Sequence, residues 1–273
     1  MALELEAGGR TDAGPHRETN EDSIGCFAPP DPHALERKGY LYVVADGLGG
    51  HNAGEVASST AVAMLGEEYY SPSNHTRIEP ALRQAVQAAN MRILELTHRH
   101  PEYRSMETTL SAIAIAGAQA YVAHVGDTRI YHWRSGHLTQ LTTDHSEAAE
   151  LVRMRILKPE RVREHPGRNA LTRTLGGRLI PRPDYLRQPV QAGDQFAMCS
   201  DGLWSEVEDD EIAEVLSAYG PAEACHELLQ RALARECRDN VSVQIVRVLS
   251  VALSTPSMGR NGWLSSIFQR GQA

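Results

Sequence analysis

Cysteine is scarce. The 273-residue chain has four, Cys26, Cys199, Cys225 and Cys237, and no two of them form a Cys-x-x-Cys pair. That spacing argues against a thiolate zinc site and offers no disulfide framework, so reduced thiols in a cytoplasmic protein are expected. Long apolar runs are missing as well. No stretch approaches the roughly 18 uninterrupted apolar residues that cross a bilayer, so no membrane span is expected. The opening Met1-Ala-Leu-Glu-Leu-Glu6 lacks the basic start and apolar run of a secretory signal. Cations are in deficit too: 27 Lys and Arg against 35 Asp and Glu give a formal net charge of -8. Nucleic acid, which calls for clustered Lys and Arg, is a poor partner for such a chain. There is also no internal repeat, and no interdomain linker before Ser250.

What is present is ordinary for a soluble protein, 41% hydrophobic and 23% charged, with enough length for a substantial core. Leu41–Ala45 has the pattern of a buried strand. Leu110–Ile115 and Ala120–Val125 read as two more, separated by a stretch that suits a hairpin at Gly117. Arg129–Trp133, Gln195–Cys199 and Val241–Leu249 extend the series. Leu82, Val86, Ala89, Ile93 and Leu96 recur every three or four residues as one helical stripe. Val56, Thr60, Ala63 and Met64 form a second such face, and Cys225, Leu228, Leu229 and Ala232 a third. All three stripes are expected in the core. Consecutive strands without intervening helices favour antiparallel sheets, and helices outside a β-sandwich fit the order.

Residues 1–250 are read as one domain and 251–273 as a tail. In the tail, Trp263, Leu264, Ile267 and Phe268 would share one face of a short helix flanked by Arg260 and Arg270. A docking peptide for a partner or membrane surface competes there with a loosely packed, frayed end.

The chemistry sits in the carboxylates. Asn20-Glu21-Asp22, Asp46-Gly-Leu-Gly-Gly-His51, Gly126-Asp127-Thr-Arg129, Asp201-Gly-Leu-Trp204 and Arg238-Asp239-Asn240 each place an Asp at a strand end or tight turn. Singly, each has a plain explanation, since Asp-Gly is a common turn dipeptide. Asp46 and Asp201 stand apart, because each directly follows an apolar strand, where an ionised carboxylate is costly without a cation. Several such groups converging would repel one another unless a metal neutralised them. Oxygen-only ligands suit Mg²⁺ or Mn²⁺, and Gly47 would let its carbonyl approach an ion. Two such ions can bridge a water, lower its pKa and direct hydroxide at phosphorus. Arg17, just before Asp22, has the planar fork that matches a phosphate.

In this order, Arg17-Glu-Thr-Asn-Glu-Asp22, Val43-Val-Ala-Asp-Gly-Leu-Gly-Gly-His51, Gly126-Asp-Thr-Arg129, Cys199-Ser-Asp-Gly-Leu-Trp204 and Arg238-Asp-Asn-Val-Ser242 resemble the type 2C metal-dependent serine/threonine protein phosphatases, in their short bacterial form. Leu141-Thr-Thr-Asp-His-Ser146 and Asn169-Ala-Leu-Thr-Arg-Thr-Leu-Gly176 also resemble segments of that family, and the likeness runs from Ala13 to Val248. It implies an α+β fold, a four-layer αββα sandwich of two antiparallel sheets flanked by helices, with the metals at one end. It implies that Asp46 bridges two Mn²⁺ or Mg²⁺ ions, with the Gly47 carbonyl on one of them. Asp201 and Asp239 would complete the first ion's shell, and Asp22 would act near the pair. Asp127 would match the ligand of a third ion in bacterial relatives, and Arg17 would hold the substrate phosphate.

Three departures stand out. Leu48 replaces the His that follows Asp-Gly in the animal enzymes, with His51 three residues on. Glu107-Thr108-Thr109 replaces Gly-Thr-Thr, placing a charged side chain at a tight backbone position. Thr128 replaces a Ser. The segment from His145 to Gly177 matches the family's flap and carries Arg153, Arg155, Lys158, Arg161, Arg163, Arg168 and Arg173. Either it steers phosphoproteins, or it is a solvated face paired with Glu147, Glu150, Glu160 and Glu164. The expected partners are phosphorylated proteins, a Ser/Thr kinase or its substrates, met by a monomer. A pseudophosphatase that binds without hydrolysis is the alternative, disfavoured by the presence of Asp46, Asp201 and Asp239. A di-metal hydrolase of nucleotides or small phosphate esters is a third reading.

Overall fold

The computed structural model describes residues 3–29, 31–48, 53–75 and 77–251. His51, Gly49 and the tail from residue 252, with its Trp263–Phe268 stripe, lie outside the described residues.

Strand β3 (Tyr40–Leu48) shows how the layers arise. Its apolar run buries both faces: Leu41, Val43 and Ala45 join one core cluster, while Tyr42 and Val44 join another. A strand buried on two sides reads as continuous apolar sequence rather than as alternation, which is why it was legible. It lies in a sheet ordered β2-β3-β5-β6-β9, with β2 (Asp22–Phe27), β5 (Leu110–Ala116), β6 (Gln119–Val125) and β9 (Asp184–Pro189); the short β4 (Glu107–Thr108) pairs with the end of β3. The second sheet is ordered β1-β11-β10-β7-β8, from β1 (Glu4–Asp12), β11 (Val241–Ser250), β10 (Gln195–Cys199), β7 (Arg129–Arg134) and β8 (His137–Gln140). Every strand pairing is antiparallel.

Between the sheets, Tyr42, Val44, Ile113, Ile115, Val122, Phe196, Met198, Val246 and Val248 interdigitate. Helices α2 (Gly54–Tyr70) and α3 (Ile78–Arg99) cover the outer face of the first sheet. Helices α6 (Asp209–Ala218) and α7 (Pro221–Ala234) cover that of the second. Three shorter helices, α1 (Pro32–Lys38), α4 (Glu147–Arg153) and α5 (Asp201–Trp204), complete the set among the described residues. The result is the four-layer αββα sandwich.

The α3 and α7 stripes are buried as expected, apart from a partly exposed Leu96. The α2 stripe is not. Ala57, Ser58, Ala61, Val62, Leu65 and Tyr69 form its buried face, Val56 and Met64 pack at the margin, and Ala63 is exposed. This helix is small and apolar nearly all round, so periodicity alone could not fix its rotation. Strands β1 and β2 escaped sequence reading because Glu4–Asp12 is largely polar and Gly-containing, and Asp22–Phe27 is short.

Phe196 is fully buried and stacks on His132 with ring centroids 4.9 Å apart. Phe196→Ala is expected to destabilise the protein by about 3–5 kcal/mol, read as a lower denaturant midpoint at unchanged slope.

Candidate metal centre

The antiparallel registers bring every candidate carboxylate to one end of the sandwich. Asp46 ends the apolar part of β3, and Asp22 opens β2 directly opposite it. Asp201 follows β10, and Asp239 precedes β11, two neighbouring strands that run in opposite directions. Asp127 lies in the turn between β6 and β7.

Each position has a local cause. Gly47 fits only because it lacks a side chain: a Cβ there would lie 2.1 Å from the Gly54 carbonyl oxygen and 2.6 Å from that of Glu21. Thr109 clamps Asp46, since its Oγ1 accepts from the Asp46 N–H and its own N–H donates to the Asp46 carbonyl, both at 2.9 Å. The Ser200 hydroxyl donates to Asp22 Oδ2 at 2.6 Å and accepts from the Ser242 N–H at 2.9 Å. Asn240 binds three points of the amino-terminal segment. Its Oδ1 accepts from Glu21 N–H at 2.8 Å, and its Nδ2 donates to the carbonyls of Ala13 (2.8 Å) and Thr19 (3.0 Å). Arg17 is drawn into the cluster by the Asp239 carboxylate, 2.9 Å away, and its Nε donates to the Arg238 carbonyl.

Electrostatically the site is frustrated. Asp22 and Asp46 are like charges directly opposite one another, which destabilises a sheet. Burial, then Asp22, Asp201, Asp127 and Asp239, pushes the Asp46 carboxyl well above the usual carboxylate range. Burial, reinforced by Asp201 and Asp239 and opposed by Ser200 and Ser242, does the same to Asp22. Burial and Asp239 raise Asp201, whose carboxyl lies within hydrogen-bond reach of Asp46, while burial, Asp201 and Asp144 raise Asp127. Asp22 Oδ1 and Asp201 Oδ1 are buried without a hydrogen-bond partner. Orphaned oxygens within a cluster of carboxylates fit a hard cation. Among the described residues, no three His, Cys, Asp or Glu side chains are drawn close enough together to hold a metal ion as they stand.

The arrangement adds residues that the sequence reading did not assign. Glu21 packs against Gly54, beside Gly47, and burial followed by Glu55 raises its pKa. Glu55 Oε2 is itself buried without a partner. The Glu21 carbonyl also accepts from the Gly47 N–H at 3.0 Å; both residues lie in or near segments already noted, but nothing in periodicity marks them. Ser200, Asn240 and Thr109 were equally unmarked. Glu107 brings no backbone strain. Its backbone pairs with Leu48 and has no positive φ, while its carboxylate accepts from Thr174 beside Gly177. Of the flap arginines, Arg153 pairs with Glu150, Arg161 with Glu164, Arg163 with Glu208 and Asp209, and Arg173 with Asp184.

Fold and site together define an αββα sandwich that gathers buried carboxylates at one end. The protein phosphatase 2C family model matches residues 18–250, and the chain belongs to that family. The serine/threonine protein phosphatase PstP of Mycobacterium tuberculosis is 36% identical over 250 residues, covering 91% of this chain and 46% of that protein. The chain thus spans about half the length of that curated relative. The serine/threonine phosphatase stp of Listeria monocytogenes is 34% identical over 241 residues, covering 87% of this chain and 93% of that one. Among solved structures, the catalytic domain of PstP in complex with two manganese ions superposes with a TM-score of 0.79 at 34% identity, covering 91% of this chain and 100% of that one.

A carboxyl whose pKa is raised on folding binds more protons folded than unfolded. Its contribution to stability therefore falls as pH rises from the ordinary carboxylate range to the raised value, which for Asp22 is about 7. In chelator, the melting temperature is expected to fall between about pH 5 and about pH 8, less steeply in Asp22→Asn, and Mn²⁺ is expected to stabilise most at the higher pH.

Proposed function

We propose that the protein is a metal-dependent serine/threonine phosphatase that hydrolyses phosphate monoesters on phosphorylated proteins. The observation that carries this reading is the set of mutually repelling Asp22, Asp46, Asp127, Asp201 and Asp239 carboxylates at one end of the sandwich, with Arg17 beside Asp239. The family and its named relatives support it.

Asp46, the Gly47 carbonyl, Asp201 and Asp239 would hold two cations, with Asp22 beside them and Asp127 serving a third. Mn²⁺ or Mg²⁺ suits this oxygen set, and the manganese-bound relative favours Mn²⁺. Such ions supply an activated water and take up charge on phosphate oxygens. The chain's own residues do the rest. Arg17 Nη1 has no bond among the described residues, so the guanidinium can meet a phosphate oxygen while Asp239 fixes its plane. Ser200 and Asn240 hold Asp22 and the Arg17-bearing segment at a constant distance from Asp46.

Residues 1–250 make up the catalytic domain in this reading, supported by the end of β11 at Ser250 and of the family match at residue 250. No helix among the described residues is long and apolar enough to cross a membrane. A cytoplasmic monomer that opposes a Ser/Thr kinase is part of the same reading. The paired flap arginines favour a solvated face over a steering patch.

The test is phosphate release from a phosphothreonine peptide. Release is expected to require Mn²⁺, to stop in chelator and to collapse in Asp201→Asn. Arg17→Ala should raise KM for the peptide about tenfold or more, the effect of losing a charge-assisted contact. Release that persists in chelator would refute the metal-dependent reading.

A further inference from the structure

One histidine of the flap root is bound to the Asp127 turn more closely than anything in the proposed chemistry requires. The His145 N–H donates to the Gly126 carbonyl at 2.7 Å, and the Gly126 N–H donates back to His145 Nδ1 at 3.1 Å. The two bonds close a ring around the residue immediately before Asp127. The far side of the imidazole is also held, with Nε2 3.1 Å from Asp184 Oδ2. Because Nδ1 accepts, the proton sits on Nε2 and is donated to Asp184, which fixes both tautomer and ring plane. Arg173 in turn holds the other Asp184 oxygen at 3.0 Å.

The turn has little freedom elsewhere. Gly126 has φ +107°, and a Cβ there would come within 2.5 Å of the Thr109 side chain, the same residue that clamps Asp46. The Asp127 carbonyl accepts from Trp204 Nε1 at 2.9 Å, and Trp204 lies in the short helix that Asp201 opens. Arg129 stacks over Trp204 at 3.7 Å and forks onto Asp144, the residue before His145. Adjacent residues 144 and 145 therefore grip the turn from both sides, one through Trp204 and one directly. His124, with its ring 4.8 Å from His145, donates to the Thr143 carbonyl and packs the imidazole in place.

We propose that His145 is the positioning residue of the Asp127 turn: its Nδ1 lone pair, aimed by Asp184, sets the distance of the Asp127 carboxylate from the Asp46–Asp201 pair and so governs the affinity of the cation that Asp127 serves. This rests on the reading of Asp127 as a cation ligand. A group that orients a ligand in this way typically alters metal affinity by about 10–100-fold when removed.

The decisive comparison is His145→Leu, which removes the acceptor, with His145→Asn, whose side-chain oxygen can stand where Nδ1 stands. Mn²⁺ binding to the full chain is followed by titration calorimetry, with melting curves confirming that each variant folds. The weakest class of Mn²⁺ sites is expected to lose about tenfold or more in affinity in His145→Leu and to recover in His145→Asn, while His145→Leu is expected to add no loss in a chain that already carries Asp127→Asn. Asp184→Ala, which keeps the ring but removes the acceptor of Nε2–H and leaves Nε2 facing Arg173 Nη1 at 3.2 Å, is expected to weaken the same class of sites and keeps the test valid should His145→Leu fail to fold. Wild-type Mn²⁺ affinity in a folded His145→Leu or in Asp184→Ala, or equal losses in Leu and Asn, would overturn the assignment. Because the readout is binding, a wild-type protein that takes up Mn²⁺ but releases no phosphate would count against the phosphatase reading alone.

Discussion

The structure turns on two carboxylates that face one another across a strand pair. Asp22 and Asp46 occupy the same rung of β2 and β3, a register that would be selected against if the sheet's stability were the only criterion. Asp201 and Asp127 press into the same space with their own charges, and oxygens of Asp22 and Asp201 are buried with no donor in reach. In isolation this is an accumulated cost; around multivalent cations it becomes an attractive shell. The rest of the molecule is arranged to prevent the cluster from relaxing. Thr109 fixes Asp46, Ser200 fixes Asp22, Trp204 and His145 fix the peptides around Asp127, and Asn240 fixes the loop leading into Asp22.

The four layers provide the rigidity that such a cluster needs. The inner faces of the two sheets meet through Tyr42, Ile113, Val122, Phe196 and Val246, and each outer face is covered by a helix pair. Towards the metal end this apolar filling gives way to polar groups. On β11 the inward positions are Val248 and Val246 at one end, then Gln244 and Ser242, whose side chains bond Gly25 and Thr11. The sandwich is thus dry where it needs cohesion and hydrogen-bonded where it needs aim.

Much of this was legible in the sequence, and for identifiable reasons. Strands such as Leu41–Ala45 and Gln195–Cys199 are buried on both faces, so they announce themselves as apolar runs, and an Asp placed directly after one is conspicuous. Helix α3, with one wet and one dry side, declared its stripe. Helix α2 did not, because small residues on nearly every side leave its rotation to be set by neighbours such as Phe27, whose ring packs against Gly66. Strand β1 is a polar edge that gains meaning only from β11. The supporting residues around the metals were silent for a different reason. Asn240, Ser200 and His145 act through partners tens to hundreds of positions away, and no local pattern encodes such a partnership.

The bonds of Asn240 have a consequence for the timing of synthesis. They join residues 13, 19 and 21 to residue 240, while β1 pairs with β11 and Asp22 leans on Ser200. Segments more than 200 residues apart thus meet at the candidate centre, and contacts of such long range form late in folding. A nascent chain still tethered to the ribosome at residue 200 would have Asp22, Asp46 and Asp127 in hand but no β11 to set their spacing. The spacing of the candidate centre is therefore fixed only once β11 has joined the sheet.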